Sequence, residues 1–300
     1  MIVVLWKKWL LQRCSWVPTV SFIPILYLLG WLIVQPLLLL PYEIALHSLS
    51  LLGTVLTFIL FLVALPSWAK YRWRQGNPFI SLGLNRFSSN SAAQIFFKTC
   101  FLAACLVCFV LIPLFLGQWV EWRGEFSLAT IMNGICLGIG VGVAEELIFR
   151  GWLWNELNCF FGFRKSTFFQ AIIFSFAHVG ALEKANLDFL ELCLLFFGLF
   201  LLGLVLALRR IIDHGSLIGC IGIHGGLVGS WFLANFVFLD ISSEIPTILI
   251  GPGNLSPNPI GSLIGILGLS VILVNYWKAF AIAGRPFNGE RKASFKDAAP

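Results

Sequence analysis

Of the 300 residues, 59% are hydrophobic and only 11% charged, where an ordinary soluble domain has about 25% charged, and the mean hydropathy is +0.91. Such a composition excludes a water-soluble globule and reads as a polytopic membrane protein. The net charge of +6 calls for no nucleic-acid partner, because helix topology and attraction to anionic membrane lipids account for it.

Apolar windows of about 20 residues predict eight transmembrane helices, at 18–40, 46–67, 96–117, 127–150, 164–181, 189–208, 215–238 and 260–281. The segment ahead of the first carries Lys7 and Lys8 inside an apolar stretch and no small-residue cleavage site, so it reads as retained chain rather than a removed signal peptide.

Basic residues test that count, since cytoplasmic flanks collect Lys and Arg. With the N-terminus inside, Lys7, Lys8 and Arg13 precede the first span, and Lys70, Arg72, Arg74, Arg86 and Lys98 follow the second. Arg150, Arg164 and Lys165 flank the next inner loop, Arg209 and Arg210 the one after, and Lys278, Arg285, Arg291, Lys292 and Lys296 the C-terminal end. That places 18 of 20 basic residues inside. Only Arg123 and Lys184 fall outside, beside the acids Glu43, Glu121, Glu125, Glu183, Asp188, Glu191, Asp240 and Glu244.

The expected fold is therefore an all-α integral membrane protein of about eight helices with both termini inside. Three regions follow: 1–126 with helices one to three and a cytoplasmic loop near 69–95, a core at 127–240 with helices four to seven, and 241–300 with an external loop, helix eight and a cytoplasmic tail. No proline lies between Leu114 and Ile245, so spans four to seven are expected as unbroken helices forming a central unit. Cys105 and Cys108 have the spacing of a redox or metal pair, but six of the eight cysteines fall inside apolar spans, where Cys acts as a small hydrophobe.

Ionisable groups at membrane depth are costly and normally face a bundle interior or a cavity with a partner. Glu145, Glu146, Arg150, His178 and His224 are the candidates. Glu146 and Arg150, four apart, share a helix face and can pair, while Glu145 points about 100° away. The plainer alternative is an ion pair snorkelling at a helix end near Trp152 and Trp154.

Depth separates the two readings. Counted from the inner surface at 1.5 Å per residue, Glu145 lies about 15 Å deep, His178 about 20 Å and His224 about 16 Å. Three ionisable groups on three helices thus reach nearly one level. Gly134, Gly138 and Gly142 lead up to the glutamates and Gly222, Gly225, Gly226 and Gly229 surround His224, a spacing suited to close helix packing. His47 and His214 read as interfacial residues without a role.

Glu145-Glu146-x-x-x-Arg150, then Phe174-x-x-x-His178, then His224 in a later span resemble the three motifs of the CPBP intramembrane proteases, also called the CAAX protease and bacteriocin-processing (Abi) family. The resemblance covers about residues 127–240, the catalytic core it implies. It implies an eight-helix endopeptidase with Glu145 as general base activating water, His178 assisting, His224 stabilising the oxyanion, and Glu146 and Arg150 shaping the site. The chain departs from the pattern at Val228, where family members often carry Asn or Asp. Backbone, Ser230 or Asn235 are the substitutes considered for that donor.

The family is described both as metalloproteases and as glutamic-type enzymes. Glu145, His178 and His224 could supply three zinc ligands with an open fourth position, but the chain has no H-E-x-x-H, and a metal-free glutamate mechanism is adopted. The implied partner is a membrane protein or peptide substrate. Prenylated CAAX substrates are not carried over from eukaryotic relatives. The alternative is a non-catalytic scaffold, chaperone or immunity-type member, for which Val228 speaks. A transporter comes third, since it would often show repeats or helices broken at mid-depth.

Overall fold

A chain in lipid must satisfy its backbone internally, and helices are the direct way to do so. The computed structural model, which describes residues 2–12, 15–39, 46–84, 88–123, 126–180, 187–253 and 257–283, is built almost wholly of them. Arg13, Glu43, Arg86, Glu125, Glu183, Lys184, Arg285, Arg291, Lys292 and Lys296, the side chain of His47 and the tail beyond 283 lie outside the described residues.

In chain order the helices are α1 (Ile2–Leu10), α2 (Val17–Val34), α3 (Leu46–Trp68), α4 (Pro78–Leu82), α5 (Ser89–Leu116) and α6 (Leu128–Glu146). They continue with α7 (Trp154–Phe161), α8 (Phe163–Gly180), α9 (Phe189–Ile212), α10 (Ile218–Leu233), α11 (Thr247–Ile250) and α12 (Leu263–Ala283). A helix stands at each of the eight predicted positions: α2, α3, α5, α6, α8, α9, α10 and α12.

Among the described residues, six helical segments are long and apolar enough to cross a membrane: Val17–Leu38, Leu49–Trp73, Ser89–Leu116, Leu128–Phe161, Phe189–Ile212 and Ile218–Phe238. The protein is a multi-pass integral membrane protein on that count. The other two do not meet that count among the described residues. α8 opens with Arg164 and Lys165, and α12 (Leu263–Ala283) has its side chains described without a break only to Lys278.

One expectation is corrected. Spans four and seven are not unbroken α-helices, although they lack proline. α6 passes into a π-helix at Leu147–Leu153 before α7, α10 passes into one at Ala234–Phe238, and α3 ends in a third at Ala69–Trp73. A π turn widens the helix by one residue per turn without needing a ring to break it. At the first of these segments a tertiary contact fixes the backbone: the Arg150 carbonyl accepts from the Arg210 guanidinium.

α10 is the axis of the packing, set between α6 and α5. Its Gly225 and Gly229 meet Gly138 and Gly142 of α6, where a Cβ on Gly142 would stand 2.9 Å from the Gly225 Cα. Its other face, Gly222 and Gly226, meets Thr99, Cys100 and Ala103 of α5. α9 packs on α8 and on α12, so α5 and α12 join spans four to seven around the centre. A two-stranded antiparallel ribbon, β1 (Val120–Trp122) with β2 (Leu239–Ile241), ties the end of α5 to the end of α10, with Arg123 Nη2 3.1 Å from Asp240 Oδ1.

Two apolar clusters result. One joins Leu106, Val107 and Leu111 of α5 to Phe174 of α8, Leu202, Val205 and Leu206 of α9, and Ile223 and Leu227 of α10. The other joins Leu10, Phe22, Phe61, Leu65 and Trp68 of the N-terminal helices to Leu147, Trp152, Leu153 and Leu157. The first cluster presents His178 and His224 to Glu145, and the second holds the chain that follows Glu146.

Candidate active site

Glycine-lined contact between α6 and α10 brings Glu146 against His224. Glu146 and Arg150 are fully buried and paired, Arg150 Nη1 donating to Glu146 Oε1 at 2.8 Å. The snorkelling alternative is thereby excluded, and Trp152 is a buried core residue rather than part of an interfacial belt. The same Glu146 Oε1 lies 2.7 Å from His224 Nδ1.

Phe174 explains the second motif. Its backbone carbonyl lies 2.9 Å from His178 Nδ1, one helical turn on. Its buried ring carries the Arg150 guanidinium 4.1 Å from its centroid, the His178 ring at 4.2 Å, and the His224 ring at 5.8 Å. A single aromatic side chain thus spaces the cation and both imidazoles.

These contacts assign the histidine protons. A backbone carbonyl and a carboxylate paired with arginine can only accept, so the Nδ1 of each histidine carries the proton. The Nε2 atoms are then the ones that can gain or lose a proton. They face Glu145: Oε2 of that carboxylate is 3.0 Å from His178 Nε2 and 3.7 Å from His224 Nε2. Glu145 Oε2 is buried, and a proton shared with His178 Nε2 makes their 3.0 Å contact a hydrogen bond. Glu145 Oε2 and the two Nε2 atoms therefore converge on one point.

The site has an open side. The side chains of Glu145 and His178 are 29% and 27% exposed, whereas His224 behind them is 5% exposed. Glu145 and His178 form the accessible edge, and Glu146, Arg150 and Phe174 form the closed floor.

The donor set also suits a metal. Glu145, His178 and His224 each offer one ligand atom, all within 4.8 Å of one another. Both imidazoles have Nδ1 engaged by a carbonyl or carboxylate, the outer support found behind zinc-binding histidines. The residues fit zinc with one position left open.

The structure thus brings together all five residues singled out in the sequence. It does not supply either side chain considered as a substitute for Val228. Ser230 turns its hydroxyl back to the Gly226 carbonyl of its own helix. Asn235, eleven residues beyond His224, lies about 16 Å along the helix. Sequence reasoning missed the link from His224 to Glu146 and a buried cluster at Glu156. That acid, ten positions past Glu146, could have been set against Arg72, a base at the expected inner end of span two.

Residues 126–229 match the family model described as type II CAAX prenyl endopeptidase Rce1-like, and residues 5–77 match a domain of unknown function, DUF8676. No curated protein and no solved structure matches the chain.

Proposed function

Residues 126–229 carry a domain of the CAAX protease family, and on that premise we propose that the protein is an intramembrane endopeptidase in which Glu145 activates water to hydrolyse a peptide bond of a membrane-associated protein or peptide. The observation that carries this reading is the convergence of Glu145 Oε2 and the Nε2 atoms of His178 and His224 on one point. A water there can donate an O–H to Glu145 and keep its oxygen free to attack.

In this reading Glu145 takes a proton from water as general base while the oxygen bonds to the peptide carbonyl carbon, and returns the proton to the leaving amine as the C–N bond breaks. His178 holds the water through Nε2, its ring fixed by the Phe174 carbonyl and ring. His224 acts from the opposite side. Protonated on both nitrogens before water attacks, and keeping both protons through the cycle, it donates Nε2–H to the developing oxyanion, with Glu146 behind Nδ1 to stabilise the charge. Glu146 and Arg150 position rather than react. The site opens toward the cytoplasmic side, and α8 and α12 complete eight spans with both termini inside.

Zinc, when bound, would supply a Lewis acid and a more acidic water on Glu145, His178 and His224. The metal-free route is preferred because it uses each of these residues without a further ligand. A second reading, a non-catalytic scaffold or immunity-type relative, is favoured by Val228 and by the engaged Ser230 hydroxyl.

The deciding experiment is comparative proteomics of membrane peptides in cells carrying Glu145→Gln or the unaltered chain, with a prenylated CAAX peptide as a separate arm. The expected result is loss of specific products at unchanged protein abundance. Full complementation of a deletion strain by the variant would establish the scaffold reading instead.

A further inference from the structure

Glu156 on α7 takes no part in the site above, and it is 1% exposed. Its Oε2 accepts from the Thr19 hydroxyl at 2.6 Å and from Arg72 Nε at 2.6 Å. Its Oε1 accepts from the indole N–H groups of Trp68 at 2.9 Å and Trp73 at 2.7 Å. All four donors come from the segment 5–77, whose match is a domain of unknown function.

Arg72 extends the network. Its Nη1 donates to the Gln12 carbonyl and its Nη2 to the Ser15 carbonyl, both at 3.1 Å, and Nη2 also reaches the Thr19 hydroxyl at 3.0 Å. One carboxylate of the protease domain therefore gathers the chain entering α2, the end of α3 and the π turn after it. Buried ions are retained when their remaining donors and acceptors are met, as they are for this pair.

Apolar contacts grip the same stretch. Trp152 packs against Phe22 and Trp68, with ring centroids 5.3 and 5.4 Å apart, and Leu147, Leu153 and Leu157 share that cluster. The gripped residues, 147–157, include the π-helix Leu147–Leu153. Arg150 projects from it to the other side, onto Glu146 and Phe174. A slip of this segment into α register would turn the chain beyond it by about 100° relative to Glu146, so the grip on Trp152 and Glu156 holds the register in which Arg150 rests on Glu146 and Phe174. Glu146 is in turn the partner of His224 Nδ1.

The geometry points to residues 5–77 acting as a clamp on the helix that bears Glu145 and Glu146, with Glu156 as the positioning residue through which the clamp acts on Arg150, Glu146 and His224. Only the cleavage arm of its test rests on the proposed function.

The test uses the full chain in detergent or nanodiscs with Glu156→Gln, which removes the charge facing Arg72, and Trp73→Phe, which removes one donor. Amide exchange is followed in 147–157 and, as a distant reference, in 195–208 of α9. Cleavage is followed on a membrane peptide whose product is lost in Glu145→Gln cells. Glu156→Gln is expected to raise exchange in 147–157 while leaving 195–208 unchanged, and to lower kcat roughly ten- to hundredfold at unchanged KM. Trp73→Phe is expected to shift both readouts less, in the same direction, and it carries the test where Glu156→Gln fails to accumulate. Unchanged exchange in 147–157, or an equal rise in both segments, overturns the clamp. Unaltered products in Glu145→Gln would overturn the protease reading instead, and exchange would still decide this one.

Discussion

His224 Nδ1 lies 2.7 Å from Glu146 Oε1, the oxygen that also accepts from Arg150 Nη1 at 2.8 Å. The two adjacent glutamates therefore do different jobs: Glu146 neutralises a fully buried guanidinium and orients an imidazole, while Glu145 stands at the accessible edge.

Glu146→Gln should accordingly destabilise the protein. It leaves Arg150 buried without a counter-charge, a loss of about 3–5 kcal/mol. Glu145→Gln should leave the unfolding midpoint unchanged and remove cleavage. Thermal unfolding of both variants in one detergent is the check, and equal midpoints would contradict the separation of roles.

Elemental analysis of active, purified protein should find zinc far below one ion per chain. If zinc is instead equimolar and His178→Ala abolishes it, the three converging atoms are metal ligands and the metal-free route falls.

Two glycines on one helix should respond in opposite ways. A Cβ on Gly142 would press on the Gly225 backbone, so Gly142→Ala should cost about 1–3 kcal/mol by overpacking. A Cβ on Gly140 meets nothing within 4 Å. Gly140→Ala should be neutral or stabilise by about 0.5–1 kcal/mol through helix propensity. Unfolding of the pair, compared with the unaltered chain, reads the difference directly.

Cysteine labelling tests the span count at one position. In a cysteine-free background, His214→Cys should react only with reagent supplied from the inner side, because α2, α3, α5, α6, α8 and α9 together make an even number of crossings before it. Reaction from the outer side would mean that α8 does not cross. Its length favours crossing, since 18 residues span about 27 Å of a hydrocarbon core about 30 Å thick.

The sequence by itself determined the membrane class, the places of eight helices and the five residues that the fold brings together. These are local signals: long apolar runs, basic flanks, and ionisable groups too costly at membrane depth to be there by accident. What it could not convey was which oxygen serves which nitrogen. The partner of His224 is 78 positions away and the partner of Arg72 is 84 away, and each pairing depends on the faces that two helices turn to one another. The π-helix at Leu147–Leu153 eluded it for the same reason. It contains no proline, and tertiary contacts hold it in place, with Arg210 on the Arg150 carbonyl and the tryptophan cluster on Trp152. Residue type and spacing selected the chemistry, while packing fixed proton positions, the accessible edge and the attachment of the N-terminal helices, because those follow from the relative rotation of helices far apart in the chain.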